Sequence, residues 1–310
     1  MNLKKLWRAT LICATVATFV GGAALSGCQI KTDYPEAKIS VEFNNQTYVL
    51  EYKLYRNMYP QTVQRFIELA DNNFYDNTII HDYQSSDWFA GGYSYDATTY
   101  AQAYDDGAMG DYLETNSKEK AYSDLFKTGV ITASVYANRG ADGKLTDALS
   151  TLIGEFKAND HTIKNGALGS KKGALRMYYS DKASTADQLV WLDKIIPGKE
   201  NQVLEHDYAH NSATTLFAIQ TSATSSLTTS NYCIFAHLKD NDTDALSSLQ
   251  DAIRDYIEEY LDGDNAKFKT TTESIAIDLY DAMVEAGTNE AQFSVTKMPI
   301  VIKSVDIVKY

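Results

Sequence analysis

The chain has 310 residues, 44% of them hydrophobic and 12% aromatic, which excludes intrinsic disorder for most of its length. A net charge of −13 excludes the basic face a nucleic-acid binder needs to neutralise phosphates, so no nucleic-acid partner is expected. Four prolines and 17 glycines exclude collagen-like and proline-rich low-complexity chains. The 22 tyrosines outnumber 11 phenylalanines and 3 tryptophans, and phenols, with an apolar ring and a polar tip, suit wet recognition surfaces.

Lys4, Lys5 and Arg8 precede an uncharged, mostly apolar run from Leu11 to Leu25. That run is short for a membrane span and fits the apolar core of a secretion signal. It ends in Leu25-Ser26-Gly27-Cys28, the pattern of a bacterial lipobox, in which the cysteine is lipidated and becomes the new N-terminus. Residues 1–27 therefore read as a lipoprotein signal peptide, 28–36 as a lipidated tether, and 37–310 as the domain. The expected location is extracytoplasmic, lipid-anchored to a bacterial membrane through Cys28. Gln29 leaves inner-versus-outer sorting open. With Cys13 in the signal and Cys28 lipidated, Cys233 stands alone in an apolar run, so no disulfide framework is expected.

Ile39, Val41 and Phe43 alternate, as do Tyr48, Leu50, Tyr52 and Leu54, on either side of Asn44-Asn45-Gln46, which predicts a β-hairpin. Pro60 opens a helix whose apolar stripe is Val63, Phe66, Ile67 and Ala70. A strand follows at Ile79-Ile80. Residues 93–150 are rich in Tyr, Asp, Ala and Gly with weak periodicity, and residues 180–209 form a second polar excursion. Strands are predicted at 173–179, 216–220, 232–238 and 300–308. Leu246, Leu249, Ile253, Ile257 and Leu261 have helical spacing, and Ser274 to Ala286 is expected to repeat it. Many short strands with a few helices suggest a β-barrel or sandwich capped by helices.

The wording and order of these segments resemble the cyclophilin family of peptidyl-prolyl isomerases. Leu54-Tyr55 and Tyr59-Pro60-Gln61-Thr62-Val63-Gln64-Arg65-Phe66 resemble the family's "ELYPDVAPKTVENF", and 74–81 its "GFYDGTxFHR". Gly91-Gly92 stands where "IQGG" ends, and Ile153-Gly154-Glu155-Phe156 resembles "IxGEF". Residues 173–177, 211–219 and 231–235 are similar to "GVLSMA", "NSAGSQFFI" and "NYTVFG", and 299–302 to the closing strand. The resemblance is collinear from about residue 38 to 308. It implies a mainly β fold: an eight-stranded closed barrel capped by two helices, here with insertions near 93–150, 180–209 and 252–293.

The resemblance also implies chemistry that needs no cofactor and no nucleophile. Rotation about an X–Pro imide is slow because of amide resonance. Catalysis needs an apolar slot for the proline ring and a donor aimed at the imide nitrogen. The family's donor is the Arg of "FHR"; here that position is Asp82, and an ionised carboxylate only accepts. The substrate groove implied by resemblance comprises His81, Trp88, Ala90, Met177, Tyr178, Tyr179, Leu216, Phe217, Ala218, Leu227 and Tyr232. Asp87-Trp88 replaces the family's Phe-Met, Ala90 its Gln, Tyr178-Tyr179 its Ala-Asn, and Leu216-Phe217-Ala218 its Gln-Phe-Phe. Arg176, next to Met177 on a strand, is expected on the face opposite Met177, Arg65 on an exposed helix face, and Arg139 in the insertion.

Two readings follow. One is an isomerase-like lipoprotein acting on proline-containing segments of exported polypeptides, with weak or lost catalysis. The alternative is a non-catalytic module holding a peptide or protein partner in the remodelled groove, with the Tyr-rich insertion as a flap; a solvated loop is the plainer account of that insertion. Asp240 to Asp244 with Asp251 has calcium-loop oxygens but lacks the turn Gly and terminal Glu, so it reads as an acidic helix start. His206 and His210 lack a third ligand in sequence, and no metal is expected there.

Overall fold

The computed structural model describes residues 32–132, 135–139, 141, 145–149, 152–159, 161, 168–179, 190–195, 203–207, 211–223, 232–239, 243–276 and 290–310. The predicted signal peptide, Cys28 and Leu227 lie outside them.

The hairpin forms as expected. Strand β1 (Glu36–Phe43) pairs antiparallel with β2 (Gln46–Leu54), with Phe43 opposite Gln46. Asn44 and Asn45 both take positive φ, 47° and 62°, which the two-residue turn matching strand twist requires and asparagine tolerates. Helix α1 (Pro60–Asp71) starts with Pro at its first turn and buries Val63, Phe66, Ile67 and Ala70. The chain then gives β3 (Thr78–Ile79), β4 (Asp82–Tyr83), β5 (Asp87–Ala90), β6 (Leu152–Ile153), β7 (Leu175–Tyr179), β8 (Asn211–Gln220), β9 (Ile234–Leu238) and β10 (Ile300–Lys309).

These ten strands form one sheet in the order β3-β10-β1-β2-β9-β7-β8-β5-β4, with β6 paired on β8. Its two ends are neighbours in the chain, separated by Ile80 and His81 alone. Ile80 N donates to Ile300 O on β10 at 2.9 Å, and His81 N donates to Phe89 O on β5 at 3.0 Å. The sheet thus curls until one short segment serves both edges. Phe66 of α1 sits inside the curl, with ring centroids 5.2 Å from Tyr75, 5.5 Å from Phe217 and 5.2 Å from Phe235. The second predicted helix, α5 (Thr243–Tyr260), buries Leu246, Leu249, Ile253 and Ile257, and its Tyr256 meets Phe43 edge-on at 5.7 Å. Among the described residues no helix is long and apolar enough to cross a membrane.

The insertions differ from their reading as loops. Residues 100–127 carry three short helices, α2 (Tyr100–Asp105), α3 (Met109–Thr115) and α4 (Glu119–Lys127). Tyr93, Tyr100, Tyr112 and Tyr122 are buried. The Tyr100 hydroxyl donates to Thr296 O at 2.6 Å, and its ring meets Tyr112 edge-on at 5.3 Å. These helices are too short for their apolar positions to repeat, so periodicity was weak while the phenols became core. The insertion is stitched at its root by Lys118 N to Gly92 O at 2.9 Å and Ser94 N to Asn116 O at 2.9 Å. It also overturns the expectation for Arg65, which is fully buried: α4 covers that face of α1, and the guanidinium donates to the Tyr122 hydroxyl.

The two polar excursions meet. Strands Val135–Arg139 and Leu145–Leu149 from the first, and Val190–Ile195 and Val203–Asp207 from the second, form a separate four-stranded antiparallel sheet. The expected helix at 274–286 begins instead as strand Ile275–Ala276, paired with Glu290–Ala291; residues 277–289 lie outside the described ones.

Candidate functional site

The family's donor position lies on β4. Asp82 is opposite Phe89 on β5, Phe89 is opposite Ala218 on β8, and Ala218 is opposite Arg176 on β7. Directly opposed residues share a face, so Asp82, Phe89, Ala218 and Arg176 form one row across four strands. Asp87 lies on the same face as Phe89, two residues away.

The alternate positions make a second row. Ala90 and Met177 are each opposite Phe217, and Trp88 is opposite Ile219. Phe217 carries this row into the interior, its ring 5.2 Å from Tyr75. Trp88 stacks on Tyr83 at 5.4 Å and is buried. The groove set implied by resemblance is therefore divided between faces: Asp82 and Ala218 on one, Trp88, Ala90, Met177 and Phe217 on the other. Leu216 is two residues from Ala218 and fully buried. Tyr178 and Tyr179 end β7. Tyr232 is half-buried beside Arg176.

Asp82 is occupied. Its Oδ1 accepts from Ser294 N at 2.9 Å and from Gln84 Nε2 at 2.7 Å. Burial raises its carboxyl above the usual range; those two donors and the Lys269 charge pull back down. The residue thus fastens β4 to the segment at Ser294 and presents no donor.

Arg176 is what sequence reasoning placed but did not use. It lies opposite Met177's face, as expected, and that face is the one Asp82 occupies. Its side chain is 8% exposed, and Nε donates to Asp87 Oδ1 at 3.2 Å. The guanidinium carbon sits 5.0 Å from the Phe89 ring centroid and 5.2 Å from that of Tyr232. Ala218, the small residue opposite, leaves the room. The signal in sequence was parity: one residue of displacement from Met177 puts Arg176 with Ala218.

His81 is fully buried, its ring 4.8 Å from Tyr93 and 5.1 Å from Phe293. Burial holds the imidazole down to about 3, the Ile79 backbone hydrogen bond opposing weakly. The folded protein keeps His81 neutral while the unfolded chain binds a proton near the ordinary 6.5. Its stabilising effect is complete above about 6.5 and falls as pH drops towards 3, by up to about 1.4 kcal/mol per unit. Denaturant unfolding between pH 4 and 6.5 should show that slope, and His81→Phe should flatten it; an unchanged slope would put the acid sensitivity elsewhere. His237, held down to about 4 chiefly by burial, adds in the same direction.

Gly91 keeps β5 and β8 close. It has φ +95°, and a Cβ there would lie 2.7 Å from Thr215 O, so only glycine fits. Glu155 reaches the unoccupied N-terminus of α1: Oε1 accepts from Gln61 N at 3.0 Å and Oε2 from Thr62 N at 2.8 Å. Among the described residues no group of three or more His, Cys, Asp or Glu could hold a metal.

A sheet curled around α1, with a candidate site on the other face of strands β4, β5, β8 and β7, defines a cyclophilin-type domain. The family model "Cyclophilin type peptidyl-prolyl cis-trans isomerase/CLD" matches residues 38–183, and over that span the chain is a divergent member of that family. Solved structures similar to it include a Cryptosporidium parvum cyclophilin-type peptidyl-prolyl cis-trans isomerase (13% identity, TM-score 0.39, covering 89% of this chain and 99% of that one). The same protein in the presence of the dipeptide Ala-Pro matches at 14% identity and TM-score 0.38, with the same coverage. The mimivirus cyclophilin matches at 10% identity and TM-score 0.41, covering 90% of this chain and 91% of that one. No curated protein sequence matches the chain.

Proposed function

We propose that this cyclophilin-type chain is a bacterial lipoprotein, anchored by Cys28 outside the cytoplasmic membrane, that binds proline-containing segments of exported polypeptides and isomerises them weakly or not at all. The observation that carries the reading is Asp82. A carboxylate stands at the family's donor position and is tied to Ser294 N and Gln84. It accepts where the twisted imide nitrogen needs a donor. A binding flap built from the insertion's tyrosines has less support, because Tyr93, Tyr100, Tyr112 and Tyr122 are spent on packing.

The test is NMR exchange of short X-Pro peptides with purified residues 29–310. Loss of a transition-state donor costs about a hundredfold or more. Wild-type exchange should lie at least that far below an arginine-bearing cyclophilin run beside it, and Asp82→Arg should raise it. Wild-type exchange equal to the reference would overturn the reading. The anchor is read separately: incorporation of a labelled fatty acid should disappear in Cys28→Ser.

A further inference from the structure

We propose that Arg176 is the donor of this groove, holding a carbonyl oxygen of a bound peptide in place of the arginine missing at position 82. The inference rests on the peptide-binding reading and adds the residue that performs it.

Three positions assigned to the groove by resemblance surround this arginine or share its row: Asp82, Ala218 and Tyr232. The row Asp82-Phe89-Ala218-Arg176 is fixed by strand register. Arg176 stands opposite the small Ala218, and its guanidinium carbon lies over two aromatic rings, 5.0 Å from the Phe89 centroid and 5.2 Å from that of Tyr232. Each ring's negative face favours a cation there.

Asp87 completes the arrangement. It takes Nε, leaving the two terminal amino groups outside that ion pair. Charge on Arg176 is thereby balanced and its orientation held, which is what a preorganised donor needs. Removing either partner of a nearly buried pair leaves an uncompensated charge, so Arg176 and Asp87, 8% and 15% exposed, hold each other in place beside Phe89 and Tyr232. The ligand is an extended peptide whose carbonyl, or a terminal or side-chain carboxylate, meets a fixed fork.

NMR titration of purified residues 29–310 with a short Ala-Pro-containing peptide tests this. Three proteins are compared: wild type, Arg176→Lys and Arg176→Met/Asp87→Asn. The lysine variant keeps the charge opposite Asp87 and loses the planar fork; the double variant keeps volume and removes both charges, so neither leaves an unpaired buried ion. A charge-assisted hydrogen bond predicts a loss of affinity of about tenfold or more in both. Melting temperatures and the amide spectrum report the fold, and if the double variant does not fold, the lysine variant decides. Wild-type binding with unchanged affinity in a folded variant overturns the role of Arg176. Absence of wild-type binding overturns instead the peptide-binding reading on which it rests.

Discussion

Replacing Glu155 by alanine should lower the unfolding free energy by about 3 kcal/mol, because it leaves the start of α1 without acceptors. The helix begins at Tyr59-Pro60 with no side-chain cap of its own. The first N–H groups of any helix lack intrahelical partners. Here the carboxylate of Glu155, 94 residues from Gln61 in sequence, takes the N–H of Gln61 and of Thr62. Negative charge at that end also opposes the helix dipole favourably. Burial pushes this carboxyl upward, while the Thr62 and Gln61 donors and His161 pull it down. A neutral side chain of the same shape should therefore be tolerated better: Glu155→Gln keeps one acceptor and should cost about half as much. Urea unfolding of both variants measures this. Equal costs would mean that shape at this site outweighs hydrogen bonding.

Much of the scaffold was legible because its patterns are local. Asn44-Asn45 demanded positive φ, and alternation on both sides set the hairpin register. The α1 and α5 stripes recur at helical spacing and are buried along their length. Motifs such as Gly91-Gly92 and Gly154-Glu155 were visible too, with physical reasons that only the fold supplies: a carbonyl 2.7 Å from a notional Cβ, and an orphaned helix start.

What escaped depends on contacts distant in sequence. Arg65 looked like an exposed helix residue until α4 brought Tyr122 over it. The tyrosines of 93–122 looked like a recognition surface, yet Tyr100 reaches Thr296 almost 200 residues on. Residues 135–149 and 190–207 read as separate excursions, whereas Val190 pairs with Tyr136. For the site the missing quantity was strand register. Parity along β7 separated Arg176 from Met177, and only pairing with β8 and β5 revealed that Arg176 shares the face of Asp82.

That division of faces has its own test in Phe217. Resemblance places it in the groove; the structure turns it inward. It is fully buried, with Phe66 at 5.5 Å and Tyr75 at 5.2 Å, and with Ala90 and Met177 opposite it on the flanking strands. Phe217→Ala should therefore cost about 3–5 kcal/mol, the transfer of the ring plus the cavity it leaves. The neighbouring rings belong to α1 and the turn after it, so little can collapse into the space. Peptide affinity measured below the lowered melting temperature should stay within about twofold of wild type, since Ala218 and Arg176 face the other way. A groove lined by Phe217 predicts the reverse: a smaller loss of stability and a large loss of affinity. Calorimetric melting and peptide titration on one preparation separate the two, because the same substitution moves different observables according to which side of β8 meets the peptide.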